Sequence, residues 1–348
     1  MRQSNDCVVC LDMGTTRTRA WLVVDGQIKA KFAEDFGVRD RAISSTPRSF
    51  EEQLCTLLLR VVQSSPSNGA GSMPTYIAAA GMIGSPNGLM DVPHVSAPAG
   101  VEELSRGVQI VDSPAISPLP IFIVPGVRTV ADANGIEGIE SGDLMRGEES
   151  LCVGLLQSGR LQPGEALLNL GSHWKWILIG QDGSIAKSRT SLTGEMIHAV
   201  QAHTLLASAL PQHRPVRLAQ DWLEHGAKQA RQEGLTRALF CVRLLEQAHE
   251  GSPEERLAYL YGAVLEAESS AVRKSSFCAN VRRVVIAGTP ALAAAWESRM
   301  ASLGWSATAL AEAKVEQAYL HGLREIVSRR MNDSGIGRRK SSSRAGQE

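Results

Sequence analysis

No uninterrupted apolar run in this 348-residue sequence approaches the ~20 residues needed to span a bilayer. The opening MRQSNDC also lacks a basic start followed by an apolar core. Neither a membrane span nor a secretory leader is expected, and the cytoplasm is the expected compartment. An excess of one charge is missing too, since Lys plus Arg and Asp plus Glu both number 36. Without an overall field, nucleic acid and anionic membranes are not expected partners, and a small anionic ligand must find local basic residues. The six cysteines are scattered. Cys7 and Cys10, the one close pair, fall in an expected strand whose alternation sends them to opposite faces, and no second pair completes a zinc site. What remains is an ordinary globular composition, 43% hydrophobic and 21% charged, on a chain long enough for two domains.

The strongest stretch is VVCLDMGTTRTRAW, residues 8 to 21, a hydrophobic run ending in an acid, a glycine and two threonines. It reads as a strand feeding a phosphate-gripping turn. Gly14 lets backbone approach an anion, Thr15 and Thr16 offer hydroxyl and N–H groups, and Asp12 can hold a hydrated divalent cation. Alone, this pattern is equally an ordinary hairpin turn. A second copy changes its weight: LDMGTTRTRAWLVVDGQIKAK at residues 11 to 31 aligns without gaps to LNLGSHWKWILIGQDGSIAKS at 168 to 188. Asp12 falls on Asn169, Gly14 on Gly171, Thr15 on Ser172, and Asp25-Gly26 on Asp182-Gly183. This internal duplication predicts an α/β protein of two related lobes, each opening with an antiparallel meander in a mixed sheet flanked by helices, with a nucleotide cleft between them.

Along the chain, Ser49 and Glu52 form a capping-box pattern ahead of apolar residues at helical spacing. TYIAAA is a short buried strand that delivers GMIGSPNG at its C-terminal end, where ligands sit in open α/β sheets. Residues 86 to 119 read as a long irregular segment, either covering substrate or lying on the surface. PIFIVPGVR is a strand running into a turn. SGDLMRGEESLCVGLL places Asp143 near the start of a helix that bridges the lobes, with Leu144, Leu151 and Leu155 on its apolar side. RRVVIAGTP returns to a strand, and a terminal helix runs from about Ala311 to Arg329. The expected domains are residues 1–142, residues 143–330, and a disordered basic tail over 331–348.

The motifs DMGTTRTRAW, GMIGS, IVPGVR, GDLMRGEES, GSHWKW, LTGE and AGTPAL, in this order, resemble the 2-dehydro-3-deoxygalactonokinases, a family of the actin-like, hexokinase-type (ribonuclease H-like) superfamily. The resemblance covers residue 8 to about residue 328. It implies transfer of the ATP γ-phosphate to the 6-hydroxyl of a six-carbon 2-oxo-3-deoxy sugar acid in galactonate breakdown, with ATP and Mg²⁺ as cofactors and a small-molecule sugar acid as partner. Oligomeric state stays open, a homodimer being one option. Asp143 is the candidate proton acceptor, although an aspartate there can also simply cap a helix. Asp12 is assigned to Mg²⁺. Gly14, Thr15, Thr16, Gly171, Ser172 and Lys175 are assigned to the phosphates, and Gly288 with Thr289 to the adenosine side. Arg17, Arg19 and Arg128 are candidates for the acceptor carboxylate, Arg17 first, each with a structural ion pair as its alternative; Arg146 lies in the same motifs. Gly81, Gly84 and Ser85 form a candidate wall for the sugar or a tight turn. Glu148, Glu149 and Glu195 orient hydroxyls or metal waters, or are simply solvated or paired.

The sequence departs from the family pattern where GTHSKW is usual: Ser172 replaces a threonine and Trp174 a serine. Leu89 stands where tryptophan is usual, and His94 replaces a tyrosine. These changes fall on the acceptor side. They leave open a kinase for another sugar, sugar acid or polyol, and a non-catalytic nucleotide-binding regulator of the same fold.

Overall fold

The computed structural model describes residues 6–39, 48–65, 73–130 and 134–333. Its contacts divide the chain into two compact units. One comprises the described parts of Met1–Gly159 and Glu316–Glu348, the other Arg160–Val315. This differs from a division after residue 142, because the chain's last helix returns to the first unit. The expected tail lies beyond the described residues from position 334 onward.

The first unit is built on β1 (Cys7–Met13), β2 (Thr18–Val24), β3 (Gln27–Glu34), β4 (Ile77–Gly81), β5 (Val95–Ser96), β6 (Gln109–Val111), β7 (Ile121–Ile123), β8 (Val127–Thr129) and β9 (Asp143–Met145). The main sheet has the order β3-β2-β1-β4-β7-β6, and β5-β8-β9 form a second, small sheet. CVVCLDM is buried on both faces, as a central strand must be. It pairs antiparallel with β2 and parallel with β4. The β2–β3 turn is only Asp25-Gly26, both at positive φ (48° and 77°), the backbone that a two-residue hairpin needs to match strand twist.

Helix α1 (Arg48–Gln63) covers this sheet because Phe50, Leu54, Leu57, Leu58 and Val61 fall on one stripe, all buried. The helix runs from Arg48, and the side chain of Ser49 in the expected capping box lies outside the described residues. The irregular reading of residues 86 to 119 missed α2 (Val101–Gly107) and strand β6. A short helix α3 (Ile136–Ser141) precedes β9, and α4 (Glu148–Gln157) follows it.

The second unit repeats the plan with β10 (Ala166–Leu170), β11 (Trp174–Ile179), β12 (Ile185–Ser191), β13 (Arg283–Ala287) and β14 (Ser306–Ala309), in the order β12-β11-β10-β13-β14. Helices α5 (Thr193–His203), α6 (Gln220–Glu233), α7 (Leu235–Gln247), α8 (Pro253–Lys274) and α9 (Pro290–Ser302) surround it. Helix α8 starts where Ser252 and Glu255 cap each other's backbone N–H, with Pro253 at its first position. Trp174 and Trp176 both point into the core, edge-on to Trp296 at 5.7 and 5.9 Å between ring centres. Trp174 is therefore a packing residue, each such ring pair contributing about 1 kcal/mol beyond burial.

The terminal helix α10 (Glu312–Asp333) lies against the first unit from Glu316 onward. Trp21 Nε1 donates to Glu316 at 3.0 Å, and Lys31 and Arg324 make ion pairs with Glu316 and Asp6. Gly154 of α4 runs so close to α10 that a Cβ there would lie 1.8 Å from the Ala318 carbonyl oxygen.

The gap-free alignment conceals two compensating changes. The turn after β1 spans Gly14–Arg17 because Met13 faces Thr18, whereas after β10 it spans Gly171–His173 because Leu170 faces Trp174. The second turn then lengthens from Asp25-Gly26 to residues 180–184. The structural counterpart of Arg19 is therefore Lys175, since Asp12 faces Arg19 and Asn169 faces Lys175.

Candidate active site

Asp12 stands one residue before the end of β1 with its side chain only 15% exposed. Arg19 donates to its Oδ2, through Nε at 3.1 Å and through Nη2. Tyr319 of α10 is half-buried beside it with its hydroxyl oxygen enclosed; desolvation, then the Asp12 charge, push its phenol pKa up and keep it neutral. Gly14 N–H closes the following turn onto the Arg17 carbonyl at 2.8 Å, leaving Thr15 half-buried, and Thr16 and Arg17 exposed. Arg17 lies 3.7 Å from Asp35, so of the three arginines expected to reach an acceptor acid, Arg17 leans on Asp35 and Arg19 holds Asp12. Behind the turn is Gly37, where a Cβ would sit 2.5 Å from the Gly14 and Thr15 carbonyl oxygens.

The GMIGS loop closes onto the same strand end. Gly81 faces Met13 in the β1–β4 register, and a Cβ on it would meet Met13 O at 2.4 Å and Asp12 Oδ1 at 3.1 Å. Gly147 of MRGEES lies against Gly81 in turn, 3.4 Å from a Cβ placed on Gly147 to Gly81 Cα. Three motifs far apart in sequence thus meet at Gly81. Gly84 and Ser85 are buried in this loop, and the Ser85 hydroxyl donates back to Met82 O at 2.7 Å.

Asp143 opens strand β9 and faces Thr129. It does not start a helix. Gly147, at φ +117°, turns the chain, and α4 begins only at Glu148. Leu144 accordingly is an exposed strand residue facing Arg128. The Arg128 Nε–H donates to Ser96 Oγ at 3.0 Å. Arg146 donates from Nη2 to the Val92 carbonyl at 2.7 Å and lies 3.2 Å from His94 Nδ1. Glu149 is fully buried and accepts from the N–H groups of Val127 (2.9 Å) and Gly147 (2.6 Å). Burial, then the Glu148 charge, raise its pKa to about 7 against the pull of those donors. Its carboxyl ties the PGVR and MRGEES segments together.

In the second unit, Asn169 sits where Asp12 does, and Lys175 beside it is 7% exposed. Gly171 and Ser172 are exposed in their turn, and His173 Nε2 lies 3.4 Å from Glu195. Gly194 stands behind this turn, where a Cβ would be 2.4 Å from Gly171 O and 2.5 Å from Ser172 O. Gly37 and Gly194 continue the gap-free alignment six positions past Lys31 and Ser188, so extending it would have revealed both. Gly288 and Thr289 link β13 to α9. Next to them is a cavity of about 330 Å³ lined by Leu218, Leu223, Pro290, Ala291 and Ala294, with Arg217 and Gln220 as its polar members.

The family model described as 2-keto-3-deoxy-galactonokinase matches residues 12–326. The chain belongs to this family. It is therefore a sugar-acid kinase, a phosphotransferase with an alcohol acceptor that draws on ATP. A 2-dehydro-3-deoxygalactonokinase of Escherichia coli strain K12 is 24% identical over 327 residues, covering 91% of this chain and 96% of that protein. A crystal structure from Sinorhizobium meliloti assigned to the same kinases superposes with TM-score 0.71 at 21% identity, covering 91% of this chain and 96% of the other. Ligand-bound xylulose kinase from Lactobacillus acidophilus superposes with TM-score 0.50 at 9% identity, covering 96% and 92%. These likenesses establish the fold, two meander-led α/β halves of the sugar-kinase, actin-like kind.

Among the described residues no group of three or more His, Cys, Asp or Glu side chains could enclose a metal ion, and no helix is long and apolar enough to cross a membrane. A single, largely buried carboxylate beside a phosphate-type turn nevertheless fits Mg²⁺, which usually takes one or two carboxylates and completes its shell with phosphate and water.

Proposed function

We propose that the chain phosphorylates 2-dehydro-3-deoxygalactonate at its 6-hydroxyl. The observation that carries this reading is the meeting of Asp12, the GMIGS loop and the MRGEES turn at Gly81, which gathers an acid, a glycine-lined wall and the Asp143 segment. Asp143 accepts the proton of the acceptor hydroxyl as its oxygen bonds to the γ-phosphorus and the bond to the β–γ bridging oxygen breaks, releasing ADP. Gly14, Thr15 and Thr16, with Gly171, Ser172 and Lys175, are assigned to the phosphates, and Gly288 and Thr289 with their adjoining apolar cavity to the adenosine. Gly81, Gly84, Ser85 and Arg128 are assigned to the acceptor. Asp12 would hold Mg²⁺, which supplies charge neutralisation on the phosphoryl oxygens when bound. Six free cysteines support a reducing compartment, the cytoplasm.

ADP release from the purified protein with Mg²⁺-ATP tests the reading, comparing 2-dehydro-3-deoxygalactonate, its gluconate epimer and neutral hexoses. Turnover is expected with the galactonate acid, with ³¹P spectra placing the phosphate on carbon 6. Asp143→Asn should lower kcat by roughly 10²- to 10⁴-fold. Turnover confined to neutral hexoses would remove the acid from the reading, and an Asp143→Asn enzyme as fast as wild type would remove the base.

A further inference from the structure

We infer that Arg146, set between Gly84 and His94, forms the subsite for the carboxylate of a sugar-acid acceptor. The inference rests on the kinase reading above and deepens it. Four segments converge there: the GMIGS loop, Val92 to His94, the PGVR turn and the end of β9. Val92 O fixes the guanidinium through Nη2. His94 Nδ1 must be the acceptor in its contact, because arginine only donates. The other arm, Nη1, is buried and has no hydrogen-bond partner, although a buried guanidinium donor without an acceptor is costly. A Cβ at position 84 would come within 2.8 Å of Nη1, so the second glycine of GMIGS leaves the room that an incoming oxygen needs.

The charges around this arm are mixed: the acids Glu149 and Asp91 act on Arg146, while Arg128 acts on His94 beside it. Burial, then Arg146 and Arg128, hold the His94 pKa down against the pull of Asp91, which keeps the ring a neutral acceptor for Arg146. Arg128 faces Leu144 across the β8–β9 ladder and adds a second cation near His94. Arg17 and Arg19 already pair with Asp35 and Asp12, whereas Nη1 of Arg146 is left without a hydrogen bond. Arg146 directly follows β9, which ends at Met145, and lies three residues from Asp143, a span of about 10 Å at ~3.3 Å per residue.

Calorimetric titration of the full chain without nucleotide, using 2-dehydro-3-deoxygalactonate and its carbon-1 carboxamide, tests the subsite. Wild type should bind the acid roughly 10- to 100-fold more tightly than the amide. Arg146→Gln should erase that preference while leaving amide affinity and nucleotide affinity within about threefold, and Gly84→Ala should weaken the acid in the same direction. Arg146→Lys, which keeps charge, should fall between and serves if the glutamine variant does not fold. The wild-type comparison of acid with amide needs no variant. Equal binding of the two, no binding of the acid, or equal loss of both in Arg146→Gln would overturn the subsite. Acid binding without phosphate transfer would sink the kinase reading and keep the subsite. Turnover of the amide as efficient as that of the acid would do the reverse.

Discussion

Asp12 and Asn169 occupy the same place, one residue before the end of the first strand of a meander, and only the first carries charge. Their cross-strand neighbours differ accordingly: a half-exposed Arg19 grips Asp12, while Lys175 is almost wholly buried beside Asn169. Behind both turns the same support recurs, a glycine pressed against two carbonyls, at Gly37 and Gly194. The duplication has preserved the glycine support behind each turn and let the side chains diverge. On the proposed reading, a single acid suits one divalent cation, which usually takes one or two carboxylates.

The largest effect is expected from making the first strand end resemble the second. Asp12→Asn should lower kcat at least ~100-fold, the scale of losing one preorganised charge-stabilising group. Asn169→Asp should change it by less than ~10-fold, and the double variant should remain as slow as Asp12→Asn. ADP-release kinetics over a Mg²⁺ series would measure this, and recovery in the double variant would make the two ends interchangeable. A smaller and symmetrical effect is expected at the supports. Gly37→Ala and Gly194→Ala should each cost about 2 kcal/mol in denaturation experiments, since backbone carbonyls cannot yield as a flexible side chain would. A silent Gly194→Ala would mean the second turn does not need the geometry of the first.

The smallest effect separates two acids in the first turns of helices, one in each unit. Glu149 is buried at the start of α4, whereas Glu195 stands exposed at the start of α5 beside His173. The Glu149 pKa lies at about 7 in the folded chain against an ordinary value of 4.5, so the folded state binds the proton more tightly. Its contribution to stability is greatest below 4.5 and fades as pH rises through about 7. Between pH 5 and 7.5, Glu149→Gln should therefore gain on wild type by roughly 2 kcal/mol in thermal melts. A constant difference across that range would remove the raised pKa, and Glu195→Gln supplies the exposed comparison.

The duplicated meander, the buried strand TYIAAA and the terminal helix were legible because long runs carry clear periodicity and the two copies reinforce each other. The unequal turns were hidden because one lost residue and a later gain cancel in a gap-free alignment. Strands β5, β8 and β9 have only two or three residues each, too few for a period to register, so Asp143 read as helical. Arg17 drew attention by sitting next to the phosphate turn. Arg146 stood out only when folding brought Gly84, Val92 and His94 around it, information that no local window contains.

The return of α10 to the first unit has a consequence for synthesis. The second unit, Arg160–Val315, is one continuous stretch and can complete its core as soon as it leaves the ribosome. The unit made first must wait, with Trp21 and the outer face of its meander uncovered, until Glu316, Tyr319 and Arg324 arrive. The unit that comes first in the sequence is the one that finishes folding last, so Asp12 gains its Tyr319 neighbour only once the second unit has been made.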